Sequence, residues 1–434
     1  MCMQGKWRCA AGLVAALLAV SCSSWAAETT GAQNEMNQLF KETSAALDKL
    51  RPQSIRPAEG YIKYDYLIPA GFYKQMWDWD GFFIGIHLAA RNRADAKYLK
   101  WWTLNFALSI DAEGYVPGCI TSQGPRPVYG KFAMKPFLAQ GAYFASKYLD
   151  DFTWIEPVYE NIKKVLAYRE RTQFDPRYGL FFWDNAGQSG ADNNPVLSND
   201  ENDKCAILAA DINTFQLREY KSMIRIAGVL KKADDAKYYT AKAQALRQAM
   251  MKYLWFPSEH SFFNVRRDTG APIKRVSYSN FVPLLEDLLP KPEAAAMITG
   301  YLLNKDHMRA AYGLRSLSKQ DPDYNNAAII KPYSNWQGPV WINANFMYAL
   351  ALKRNGFDQE ADELARVLGT MLLKDMRACG SMHENYHADT GAPLAPTAEQ
   401  SENGVFTGFV GWNMLIWNML EGAVERPKWI RLDL

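Results

Sequence analysis

Very little in this chain of 434 residues departs from electrical balance: 49 Lys and Arg against 46 Asp and Glu give a formal net charge of +3. Two of those positive charges, Lys6 and Arg8, fall in the first 22 residues, which hold no acid. A body this near neutrality has no basic surface for DNA or RNA, so a nucleic-acid partner is not expected. Cysteine is also scarce. Of the six, Cys2, Cys9 and Cys22 lie close to the N-terminus, leaving Cys119, Cys205 and Cys379, widely spaced and odd in number. A disulfide framework is therefore excluded; inert thiols or one bridge are both open. Long apolar runs are missing too, apart from Ala10 to Val20, which is too short for a permanent membrane span. Strand-like alternation is confined to 261–265 and 271–277, a candidate hairpin, and no repeat of fixed period appears.

What is present is apolar and aromatic side chains, 48% and 13% of the residues, enough for a large core and too much for a disordered chain. The basic Lys6 and Arg8, the apolar run and the small residues at Ser21–Ala27 form an export signal, so 1–27 is expected to be a leader. Ala19-Val20-Ser21-Cys22 fits a lipoprotein box with acylated Cys22, and Ser24-Trp25-Ala26 fits ordinary cleavage. Both place the mature chain outside the cytoplasm, periplasmic or tethered to a membrane through lipid.

Apolar spacing at three and four residues predicts helices near 33–50, 80–92, 95–110, 134–149, 153–172, 205–230, 233–253, 279–288, 292–303, 338–355, 358–378 and 406–422. The segment at 338–355 is apolar nearly all round and belongs deep inside. Twelve helices make six hairpins, and without a repeat a closed toroid is favoured over a solenoid. The expectation is one all-α (α/α)6 barrel over 28–434. Long loops at 64–80, 111–133, 173–204, 304–337 and 379–405 would gather at one end around a pocket.

Four loop segments set Trp or Tyr beside carboxylates and amides: Trp77-Asp78-Trp79-Asp80-Gly81; Phe182-Trp183-Asp184 followed by Ser189-Gly190-Ala191-Asp192; Asn335-Trp336-Gln337-Gly338-Pro339-Val340-Trp341; and Glu384-Asn385-Tyr386-His387. Aromatic planes stack on pyranose C–H faces while acids and amides pair with hydroxyls, so a small carbohydrate is the expected ligand. Trp77, Trp79, Asp80, Trp183, Asp184, Trp336, Gln337, Trp341 and Tyr386 are the candidate contacts. Lys135 and Arg126 are candidates for a substrate carboxylate such as a glycerate.

These stretches, with Tyr312–Ser318 and Trp336–Asn343, resemble the signature segments of glycoside hydrolase family 63, in the family's order, over about 70–422. That family is related to trehalases and includes bacterial α-glucosidases and hydrolases of glucosyl- and mannosylglycerate. The resemblance implies the (α/α)6 barrel and an inverting, exo-acting α-glycosidase without a cofactor. It also implies Asp192 as general acid and Glu384 as general base, with Trp77, Trp79 and Asp80 at the terminal sugar and Trp336 and Trp341 closing over it. Gln337, where the family often has Arg, and the region of Val196 depart from the pattern at positions that affect substrate choice; release of glucose by an α-glucosidase is expected, with trehalase or glycosylglycerate hydrolase as the alternative. Independently of any family, hydrolysis with inversion needs a protonated carboxyl on the leaving-group side and a carboxylate about 6.5–9.5 Å away to activate water.

Rival chemistry is also written in the chain. His383-Glu384-Asn385-Tyr386-His387 spells H-E-x-x-H, the zinc peptidase pattern, which works only on a helix that puts both imidazoles on one face. Turn composition on both sides of it, and Pro393 where a third histidine would stand, argue against a metal there. A sugar-binding protein without catalysis is a third class, opposed by the presence of both acids. Asn199–Asp203 clusters hard oxygen ligands and is a weak structural Ca²⁺ candidate, without ordered ligand spacing.

Overall fold

The computed structural model describes residues 31, 33–69, 73–128, 130–197, 206–328, 334–394 and 408–434. The leader, Cys22, Cys205 and the proposed calcium loop lie outside them. Thirteen helices are described: α1 (33–50), α2 (Asp78–Arg91), α3 (Ala96–Ala107), α4 (Leu138–Leu149), α5 (Tyr159–Thr172), α6 (Ala186–Ser189), α7 (Ala210–Val229), α8 (Ala233–Tyr253), α9 (Tyr278–Phe281), α10 (Lys291–Met297), α11 (Ile342–Arg354), α12 (Asp358–Cys379) and α13 (Leu415–Val424). A helix stands in each of the twelve expected segments, but the one expected at 279–288 is α-helical only over Tyr278–Phe281 before a 3-10 turn, and the one expected at 406–422 begins only at Leu415; the single turn α6 is additional.

Their contacts form a closed ring. α2 packs on α4, α4 on α7, α7 on α9 and the turn that follows it, that turn on α11, α11 on α13, and α13 back on α2. Outside them, α3 packs against α2 and α4, α12 against α11 and α13, and α8 against α7. The burial pattern follows from this. α11 is buried from Ile342 to Leu352, whereas α8, on the outside, buries only Tyr239, Ala243, Leu246 and Met250. A helix that is apolar all round can be satisfied only inside other helices. The main core is one apolar cluster running from Met36 to Ile430. The (α/α)6 expectation holds.

Strand structure exceeds the expected hairpin. Asn264–Arg266 does pair with Pro272–Ile273, but as the edge of a five-stranded antiparallel sheet completed by Ile207–Leu208, Leu180–Trp183 and Phe174–Asp175. Strands this short carry too little alternation to be read in advance. The sheet serves the barrel by fixing loops. Asn213 of α7 accepts from Phe181 N and donates to Phe181 O, both at 2.8 Å. Asn345 of α11 treats Leu314 in the same way, both bonds at 2.9 Å. In each case an inner helix holds a loop strand by both of its backbone groups.

Candidate active site

The inner helices begin at one end of the ring, and the pocket lies there. It is a cavity of about 90 Å³ walled by Trp77, Trp79, Trp336, Trp341, Phe409 and Trp412, with Tyr73, Lys135 and Ser334. Three carboxylates line it as well: Asp80, Asp192 and Glu384. The walls are packed ring on ring. Trp336 stacks on Trp341 with centroids 4.4 Å apart, and Trp79 lies 5.9 Å from Trp336 and 5.5 Å from Trp412. Eight of the twelve expected site residues therefore meet in one place, although they span more than 300 positions of sequence.

Asp192 is carried by a compact device. Asn185 caps α6 by accepting from Gln188 N, and Gly190 ends the turn at φ +85°. A Cβ at Gly190 would sit 2.4 Å from Trp79, so only glycine lets the tryptophan pack on this backbone. Two residues on, Asp192 Oδ2 accepts from Ser334 Oγ at 2.6 Å. Asn193 joins this loop to its neighbour by accepting from Trp336 N at 2.6 Å and donating to Asn335 Oδ1 at 3.3 Å.

Glu384 is 6% exposed and sits in a loop, not on a helix. Tyr386 exchanges backbone hydrogen bonds with Val340, 2.8 and 3.1 Å, beside Trp341 at the start of α11. Asp375, in the last turn of α12, holds the other side: its Oδ2 accepts from His383 N (3.0 Å), His383 Nδ1 (2.9 Å) and Tyr386 Oη (2.6 Å).

Lys135 reaches the pocket from the segment before α4. Its Nζ bonds Asp78 Oδ1 at 3.1 Å and lies 5.3 Å from the centre of the Trp79 ring. Asp78 Oδ2 accepts from Lys135 N at 2.7 Å, so Asp78 is a holder of Lys135. Burial pushes the Asp80 carboxyl up to about 8, and Asp78 and Asp192 add to this while Lys135 opposes it.

Four expected contacts stand outside the wall. Trp183 is buried and donates from Nε1 to Asp211 at 3.0 Å. Asp184 binds through its backbone N to Gln188 Oε1; burial raises its carboxyl. Gln337 bridges loops, donating to Asn193 O at 3.1 Å and accepting from Asn325 Nδ2 at 2.8 Å. Tyr386 is wholly buried, with its hydroxyl on Asp375. Arg126 is exposed and is not in the wall. Conversely, Phe409 and Trp412 fall inside the helix expected at 406–422; Trp412 instead opens the short turn Trp412–Met414 ahead of α13, facing Trp79.

The H-E-x-x-H pattern does not have its helix. Residues 380–394 are turns and isolated bridges, and His387 Nδ1 accepts from Asp389 N, which keeps it in a local turn. Asp375, Cys379 and His383 do bring potential ligand atoms within 4.8 Å of one another. Their placement is already accounted for by hydrogen bonds, three of them on one Asp375 oxygen. Cys119 is a buried free thiol, and the Sγ of Cys379 lies 3.2 Å from Asp375 O as a hydrogen-bond donor.

With the geometry in view, comparison with known proteins decides the family. Residues 73–403, about three quarters of the chain, match the family described as the mannosylglycerate hydrolase MGH1-like glycoside hydrolase domain. The chain belongs to that family of glycoside hydrolases. Among curated proteins, a mannosylglycerate hydrolase of Rubrobacter radiotolerans is 24% identical over 166 residues, 38% of this chain and 36% of that one. The match thus spans about a third of that relative's length. Among solved structures, a family-63 mannosylglycerate hydrolase of Thermus thermophilus in complex with glucose aligns with TM-score 0.62 at 17% identity, covering 88% of this chain and 99% of that one. The neutral trehalase Nth1 of Saccharomyces cerevisiae aligns with TM-score 0.61 at 16% identity, covering 85% and 76%. Both share the barrel.

Proposed function

We propose that this glycoside hydrolase is exo-acting and cleaves an α-linked glycoside with inversion, Asp192 serving as general acid and Glu384 as general base. One observation carries the reading: these two carboxyls, held by independent loops, line the same small tryptophan-walled cavity. Asp192 comes from the α6 loop and Glu384 from the loop after α12, an arrangement suited to opposite faces of one sugar. Asp192 protonates the leaving oxygen; Glu384 takes a proton from the attacking water. Asp80 has its carboxyl raised to about 8, so at neutral pH it is largely protonated and can donate a hydrogen bond to a sugar hydroxyl as well as accept one. The narrow cavity favours removal of a single terminal residue over attack within a chain.

For the sugar, an α-glucoside is the expectation from sequence, but the matched family and the Rubrobacter relative favour a glycosylglycerate. Lys135, a cation in the pocket wall, supports an anionic aglycone. The test is a panel of mannosylglycerate, glucosylglycerate, trehalose and α-linked disaccharides, with the anomer of the first product followed by proton NMR. The expected result is fastest turnover of a glycosylglycerate with the β-anomer released first; α-anomer first would refute inversion, and fastest turnover of a neutral disaccharide would refute the glycerate assignment. We also assign the mature chain to a place outside the cytoplasm, tethered to a membrane through an acylated Cys22, on the strength of its leader. Labelling with a palmitate analogue, lost in Cys22→Ser, is the check, and an unlabelled parent would leave the ordinary cleavage site.

A further inference from the structure

We infer that Asp375 is the positioning residue of Glu384: it acts on hydrolysis solely by fixing the loop that presents the base. This rests on Glu384 serving as the base. Asp375 is not among the residues lining the pocket, and it is 6% exposed at the end of α12. One of its carboxylate oxygens gathers the backbone N–H of His383, the Nδ1 of the same ring, and the hydroxyl of Tyr386. These are the residues one before and two after Glu384, so a single oxygen grips the loop on both sides of the base. The bond from Nδ1 also assigns the proton to that nitrogen, since a carboxylate can only accept.

Three further ties converge on the same short stretch. Tyr386 Oη accepts from His383 N at 2.9 Å, Asn413 Nδ2 donates to His383 O at 2.7 Å, and the Val340–Tyr386 bridge anchors the far side to α11. Only Glu384 and Asn385 lie between the gripped positions. Their backbone has little freedom of its own, and the carboxylate is aimed by α12, α11 and the segment before α13 together. Burial works against an ionised Asp375, but the donors from His383 and Tyr386 outweigh it and keep the carboxyl below its ordinary range. A neutral amide at 375 presents an oxygen that accepts less strongly from His383 and Tyr386 and an NH₂ that accepts nothing. The loop would then settle in another geometry. Displacing a reacting group by about 1 Å can cost about 10²-fold in rate.

The experiment is a cycle of Asp375→Asn, Glu384→Gln and the double variant, with kcat and KM measured on the glycoside that the parent turns over. Asp375→Asn should lower kcat by about 10²-fold and leave KM within about threefold, because the sugar-binding walls do not depend on Asp375. In the Glu384→Gln background the same change should have no further effect. Tyr386→Phe removes one of the three donors, leaves the carboxylate ionised, and should give an intermediate loss of kcat with an unchanged melting temperature. Thermal unfolding of each variant separates a displaced base from a damaged fold. Parent-like kcat in Asp375→Asn, or an equal loss in both backgrounds, overturns the positioning role while leaving the base assignment standing. If Asp375→Asn does not fold, Tyr386→Phe decides: loss of kcat alone sustains the proposal, and unchanged kcat ends it. Parent-like kcat in Glu384→Gln instead removes the base assignment and this inference with it.

Discussion

The two ends of the barrel are built from the same inner helices and do opposite things. At the end where those helices start, a cavity of about 90 Å³ holds Asp80, Asp192, Glu384 and Lys135 among tryptophans. At the other end lies a larger cavity, about 300 Å³, floored by Phe82, Phe83, Phe137 and Phe215 and crossed by the segment Trp429–Asp433. The main charges there are paired. Arg218 bonds Glu286 and, at 2.6 Å, Leu432 O, while Arg354 reaches Asp287 and Asp433, each at 2.6 Å. Asp287, whose side chain is largely exposed, feels only slight burial, and Arg354 holds its carboxyl low. Asp80 shows the reverse balance, with burial winning over Lys135. Size does not mark the reactive end; unrelieved carboxyl burial does. Helix starts add unsatisfied N–H groups and positive dipole ends, which suit a polar ligand.

If that division is right, substitutions at one end should change rates and those at the other should change stability. The largest effect belongs to Asp192→Asn, expected to lower kcat by about 10²–10⁴-fold with little change in melting temperature. Next is Arg218→Ala at the far end. It leaves buried Glu286 to the half-buried Lys221 and should cost about 3–5 kcal/mol of stability, read by denaturant unfolding, while kcat/KM stays within about twofold. Loss of activity in folded Arg218→Ala would break the comparison. Gly190→Ala should come third. Its methyl group must displace Trp79 from a backbone already at φ +85°, with kcat falling up to about 10²-fold and about 1–3 kcal/mol of stability lost.

Which of these residues the sequence discloses depends on the kind of signal they carry. The helices are legible because a dozen residues at period 3.6 leave a strong imprint; Leu180–Trp183 is not, since four residues buried on both faces show no alternation. Aromatics beside acids are visible in composition, and that signal finds Trp79, Asp80 and Trp336. It cannot separate a pocket wall from a buried holder. Trp183 and Tyr386 have the same company as Trp79, yet their polar atoms turn inward to Asp211 and Asp375. Trp412 fails in the other direction, hidden in a segment whose apolar pattern reads as helix. The grip of Asp375 on the Glu384 loop leaves no pattern at all, because it depends on where α12 ends relative to a loop nine residues on.

The last prediction concerns pH and sets the two ends against each other. With its folded pKa raised to about 8 from an ordinary 3.8, Asp80 keeps a proton in the native state that the unfolded chain has already released. Stability should therefore fall as pH rises from about 4 to 8 and level off above that. Asp287, held low by Arg354, contributes in the opposite sense: its share is present above the ordinary carboxylate range and fades as pH drops through it. That share is small, since the Asp287 side chain is 70% exposed. Asp80→Asn should flatten the decline in melting temperature between about pH 5 and 8, and Asp287→Asn should lower stability by a small constant amount across that window without changing its slope, the difference from the parent fading only below about pH 4. An Asp80→Asn protein whose melting temperature still declines like the parent's would mean that the strain at the reactive end resides in another carboxyl.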